Sequence, residues 1–170
     1  MNPIFGWIES TDISEWVRGS DCICAFPTIV TVHNICMAFL AGGSIAIDLR
    51  LLGFAPFMPI KPLRGFMPLF WLAFAVIAAT GSLLLIAYPT KALTNPLFYF
   101  KLCLIAVAFW LVYRLGTGVL RSSELDPKAV PPNAKLFAIV SLAVWLTLIG
   151  AGRFLAYTHK WELFGVPAVL

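Results

Sequence analysis

The chain has 170 residues, of which 61% are hydrophobic and 12% charged, with a formal net charge of +4. A soluble domain carries about a quarter charged residues, so this composition excludes one and defines an integral membrane protein. The basic surplus lies in loops beside apolar runs, where it sets orientation in a bilayer, and no nucleic-acid-binding module is present in the sequence.

The first twenty residues interleave Ile4, Phe5, Trp7, Ile8, Ile13, Trp16 and Val17 with polar groups, and Asp12 with Glu15 forms a capping pair for a short helix running to Arg18. This predicts an interfacial amphipathic helix within residues 1–20, lying along the membrane surface or covering the mouth of a bundle. Four acids and one arginine precede the first apolar run, the wrong charge for a secretory leader, so no cleavage is expected.

No charged residue lies between Asp21 and Asp48, and a bilayer core needs about 20 apolar residues in helical form. The first spanning helix is expected over about 24–48, broken afterwards by Gly53, Pro56, Pro59 and Pro62 in a loop that carries Arg50, Lys61 and Arg64. A second, uncharged, covers about 67–88 and stops at Pro89. The third, over about 96–114, has only twelve uncharged residues between Lys101 and Arg114, which places Lys101 within the bilayer. After a polar, proline-rich loop, Asn133 caps a fourth helix over about 134–157, whose uncharged part ends at Arg153.

The expected fold is therefore all-α: a four-helix up-down transmembrane bundle over residues 21–170, with Gly42, Gly43, Ser44 and Ala46 permitting close helix contact. Arg50, Lys61, Arg64, Arg114, Arg121, Lys128 and Lys135 flank the first-to-second and third-to-fourth connections. The positive-inside rule then puts both termini outside, in the periplasm for a bacterial inner membrane.

Cys22, Cys24, Cys36 and Cys103 do not read as a disulfide framework: Cys36 and Cys103 lie inside apolar helices, and Cys22-Ile-Cys24 is a poor spacing for a direct bridge. Cys22 and Cys24 fall at a membrane edge, where thiols meet metal or oxidant.

His33 is an ionisable group placed in lipid, which makes it a functional-site candidate. His33, Lys101 and Arg153 each lie a few residues inside the outer end of a helix and are expected to converge there, the alternative being that Lys101 and Arg153 snorkel to the interface. A neutral imidazole suits an axial position on haem iron, a copper site completed by Cys36 and Met37 one turn on, or a hydrogen bond between helices. Asp48, Arg50 and Arg114 at the inner end read as paired charges fixing helix depth, with proton entry at Asp48 as the alternative.

Pro27, His33, the DLRLLG run ending at Gly53, Thr80-Gly81, Asn95-Pro96 before Lys101, Trp145 and the GRFLAY run from Gly152 to Tyr157 span nearly the whole chain. Through them the sequence resembles an uncharacterised bacterial family of four-helix membrane proteins. More distantly it is similar to the four-helix membrane protoporphyrinogen oxidases and, in DLRLLG, to the copper-resistance D membrane domain. The resemblance to the oxidases implies a haem-linked role for His33 and Lys101. Those enzymes carry a further histidine late in helix three, where this chain has Val112 and Tyr113, and the second histidine here is His159 in the outer tail.

The expectation is a b-type haem protein transferring electrons between a partner and the quinone pool. His33 and His159 are the candidate iron ligands, and Lys101 and Arg153 the partners of haem propionates or a quinone oxygen. It would act as a redox subunit rather than a hydrolase or transferase, with other membrane or periplasmic redox subunits, or further copies of itself, as partners in the lipid bilayer. Copper handling by His33, Cys36, Met37, Cys22 and Cys24, a cofactor-free structural subunit, and porphyrinogen oxidation are the alternatives.

Overall fold

The computed structural model describes residues 3–54, 65–119 and 133–157, and every regular element among them is helical. In order these are α1 (Pro3–Glu9), α2 (Asp12–Gly19), α3 (Phe26–Leu52), α4 (Met67–Ala87), α5 (Pro89–Leu93), α6 (Pro96–Arg114), a π-helical turn (Leu115–Val119) and α7 (Ala134–Tyr157). Helices α3, α4, α6 and α7 are long and apolar enough to cross a membrane. The protein is a four-helix transmembrane bundle, with α3 packed on α4 and α7, and α7 on α6.

Helix formation here follows from the solvent. In hydrocarbon every backbone N–H and C=O must find a partner within the segment, and these uninterrupted apolar runs leave only the helix to provide it. Their ends follow local chemistry. Pro27, Pro68 and Pro96 sit in the first turns, where a missing N–H costs nothing, and the Asn95 side chain accepts from the Leu97 N–H at 2.9 Å. Helix α3 runs past the expected end near residue 48 to Leu52, because Asp48 and Arg50 do not break a helix. Gly53 does, in the left-handed conformation (φ 101°), with the Phe54 N–H returning to the Leu49 carbonyl. The loop prolines Pro56, Pro59 and Pro62 lie outside the described residues.

The amino-terminal segment is two helices rather than one. The Ser10 and Thr11 hydroxyls donate to the Trp7 and Ile8 carbonyls at 2.8 and 2.7 Å, a local competition with helical bonding that ends α1. The Arg18 guanidinium donates to the Glu9 carbonyl and ties the two helices together. Helix α2 buries Ser14 and Val17, the latter packed with Ile29 of α3 and with Leu83, Leu84 and Ala87 of α4, so it covers the mouth of the bundle. Trp7 of α1 and Trp16 of α2 remain 71% and 48% exposed, as suits rings at headgroup level.

Cys22 and Cys24 are joined by a disulfide, contrary to the expectation from their spacing. Two residues in extended backbone span about 7 Å. Here residues 22–25 form a turn, closed by the Ala25 N–H on the Cys22 carbonyl, that brings the Cα atoms to 5.1 Å, within bridging range. Cys36 and Cys103 are free thiols on α3 and α6, as expected.

One core joins all four spanning helices, with Leu40, Ile47, Phe70, Ala108, Val112, Ala138 and Trp145 among its buried members. Its tightest contact is between α3 and α4, where a Cβ on Gly43 would lie 2.6 Å from Cζ of Phe70, itself edge-on to Phe39 at 5.3 Å. Gly43 and Ser44 thus form the close helix contact, whereas Gly42 and Ala46 face outward. Gly43→Ala should lower stability by about 1–3 kcal/mol through overpacking against Phe70, read as a reduced thermal midpoint in detergent. Gly42→Ala, which meets open space, should leave that midpoint unchanged.

Candidate functional site

The inward face of α3 carries Ile29, His33, Leu40, Ser44, Ile47, Asp48 and Leu51 at helical spacing, and every one except half-buried His33 is buried. His33 sits near the mouth. Its Nδ1 lies 2.8 Å from Oγ1 of Thr80 on α4, and that hydroxyl lies 2.7 Å from the Val76 carbonyl one turn back. A hydroxyl has one hydrogen to donate, and a carbonyl can only accept, so Thr80 donates to Val76 and accepts from the His33 Nδ1–H. The imidazole is thereby held as the tautomer whose Nε2 presents a bare lone pair. Gly81 lies against the ring, with a Cβ there placed 3.4 Å from His33 Cε1. The His33–Thr80 and Gly43–Phe70 pairs share one antiparallel register, so the packing deep in the bundle sets the height of the histidine.

Lys101 lies on the inward face of α6, in line with Leu104, Ile105, Ala108, Val112 and Leu115. Its Nζ is turned towards α7, 3.9 Å from where a Cβ on Gly152 would sit, rather than out along the lipid face. Its charge reaches the His33 imidazole, and among the described residues it has no carboxylate or hydrogen-bond partner. The His33 imidazole of α3 and the Lys101 ammonium of α6, both half-buried, thus lie on inward faces at the same end of the bundle, beside Gly81 of α4 and Gly152 of α7.

The remaining sequence candidates are distributed differently. Arg153 is exposed: Gly152 faces the bundle, and the next residue on a helix turns about 100° away, so this side chain does not join His33 and Lys101. His159 lies outside the described residues. Cys36 and Met37 are half-buried one turn below His33, with Cys36 packed on the core. Among the described residues no three or more His, Cys, Asp and Glu side chains gather closely enough to hold a metal ion. At the inner end the expected pairing of Asp48 with Arg50 or Arg114 is not seen among the described residues. Arg114 lies over the Trp110 ring at 5.8 Å, Arg50 projects from the opposite side of α3, and neither Asp48 oxygen has a hydrogen-bond partner.

Thr80, Gly81 and Gly152 are the site residues that were not assigned from sequence. The signal for Thr80 was weak but present, since its hydroxyl is one of few polar side chains in an otherwise uncharged spanning helix. Fold and site together define a multi-pass helical membrane protein with a half-buried histidine and a half-buried lysine on the inward faces of two helices near one mouth of its bundle. No family model, curated protein or solved structure matches the chain.

Thr80→Val keeps the shape of the side chain and removes the acceptor for Nδ1. It should weaken the α3–α4 contact by about 0.5–1.5 kcal/mol. Nitrogen-15 NMR of labelled imidazole should show the single tautomer of His33 giving way to a mixture; unchanged ring shifts would mean that Thr80 does not set the tautomer.

Proposed function

We propose that the protein is a membrane-embedded b-type haem protein that passes electrons between a partner and the quinone pool, with His33 Nε2 as an axial ligand. The observation that supports this reading is the commitment of Nδ1 to Thr80. Ligating histidines characteristically use the second ring nitrogen for such an anchoring bond, which fixes orientation and raises basicity at the coordinating nitrogen. Haem, when bound, supplies the one-electron chemistry.

His33 would hold the iron, and Lys101 would neutralise one anionic group of the cofactor or of a quinone. Thr80 and Gly81 hold the imidazole, while Lys101, which has no partner among the described residues, would offer a positive charge to a propionate or to a quinone oxygen that gains charge on reduction. Helix α2 screens the region from bulk water. His159 or water would be the candidate for a further ligand. In the proposed orientation the site lies in the periplasmic half of a bacterial inner membrane, and exposed Arg153 on the rim is available to a quinone or to a partner subunit.

The same hydrogen bond would serve a cofactor-free structural subunit, because a histidine bonded between two helices also secures their register. A visible spectrum of the full chain in mild detergent, oxidised and dithionite-reduced, with metal analysis of the same sample, separates the readings. The expected result is a Soret band that shifts on reduction, is lost in His33→Ala and is altered in Thr80→Val. Copper without a Soret band would instead favour His33 with Cys36 and Met37. Neither, in material purified with its native partners, would leave the structural subunit as the reading.

A further inference from the structure

The end of the bundle remote from His33 holds a second group of polar side chains, which the redox reading does not use. Asp48 is fully buried, and Ser44, Ser141 and Trp145 are each no more than 3% exposed. Ser44 and Asp48 lie one turn apart on the inward face of α3, and Ser141 and Trp145 one turn apart on the inward face of α7. The two helices pack antiparallel with Ser141 facing the Asp48 carboxyl, which sets Trp145 opposite Ser44. Yet neither Asp48 oxygen, nor Ser44 Oγ, nor Trp145 Nε1 makes a hydrogen bond of normal geometry.

Such a cluster is not stable as it stands. Buried polar groups are almost always paired, and an ionised carboxylate without a partner inside a membrane is strongly disfavoured. The composition of the cluster specifies what completes it. Trp145 can only donate, so its N–H needs an acceptor and would oppose a bare metal cation. Water meets all the requirements: it accepts from the indole N–H or a serine, donates to the carboxyl, and makes up to four bonds. The carboxyl then escapes its charge by holding a proton.

We infer that Asp48 is an intramembrane proton-binding site, its carboxyl bridged through internal water to Ser44, Ser141 and Trp145. On uptake, a bridging water gives a proton to a carboxylate oxygen and regains one from the aqueous phase beyond the end of α3, one turn away at Leu52; release is the reverse, and no electrons move. Among the described residues no charged group of a neighbouring helix faces the carboxyl. Helix α4 has no ionisable residue, α7 presents Ser141 and Trp145 with Lys135 exposed, Arg114 and Tyr113 of α6 are exposed, and Arg50 points from the opposite face of α3. The inference is independent of what His33 binds.

Infrared difference spectra of the full chain in detergent, recorded between acid and alkaline pH in H2O and D2O, test it. The expected result is a protonated-carboxyl C=O band that is lost on alkalinisation, shifts down in D2O and is missing in Asp48→Asn. Ser141→Ala and Trp145→Phe should keep the band at a shifted frequency, and these two variants decide the matter if Asp48→Asn does not fold. An identical band in wild type and Asp48→Asn, or a band unmoved in both neighbour variants, overturns the inference. So does a thermal stabilisation by sodium or potassium ions that is present in wild type and absent in Asp48→Asn, which would identify a metal-cation site instead.

Discussion

Contact between Gly43 and the Phe70 ring governs the geometry of the upper bundle. Phe70 is almost completely buried, and its ring occupies the space a Cβ on Gly43 would need, so α3 and α4 approach most closely there and have little freedom to slide. A slip of one residue would turn His33 by about 100° and move it 1.5 Å along the helix, away from Thr80. Close packing of a rigid ring thus does for the histidine what a hydrogen bond alone, worth about 1 kcal/mol net, would not secure.

Membrane solvation explains why polar groups collect at two levels and not between them. His33 and Asp48 are fifteen residues apart on α3, or about 22 Å along its axis. The interval is filled by the shared apolar core around Leu40, Phe70 and Ala73. Water has no partners in such a layer, so the mouth with His33 and Lys101 and the inner end with Asp48 are separate polar environments in one bundle. The mouth is additionally covered by α2, which is anchored by buried Val17 against Ile29, Leu83, Leu84 and Ala87.

Depth along a helix counts residues and carries no information about azimuth. Lys101 falls in line with Leu104, Ala108 and Val112 and faces inward, while Arg153 follows an inward glycine and faces out. The Cys22–Cys24 bridge was rejected on a spacing that holds for extended chain and fails in a turn. Arg50 is close to Asp48 in sequence, yet a residue two positions on in a helix lies on the opposite face, and Arg114, at the same end of α6, lies over Trp110.

By itself the sequence determined that the chain spans a membrane four times, where each helix lies to within a few residues, and that His33 and Lys101 sit inside the apolar layer. Those properties follow from local composition, because hydrocarbon leaves the backbone no alternative to the helix. Tertiary structure decided which polar side chains meet: His33 with Thr80 across α3 and α4, Lys101 with the gap at Gly152, and Asp48 with Ser141 and no cation. Those pairings depend on helix rotation and register, which are set by the volumes of facing residues such as Gly43 and Phe70, and no single segment encodes them.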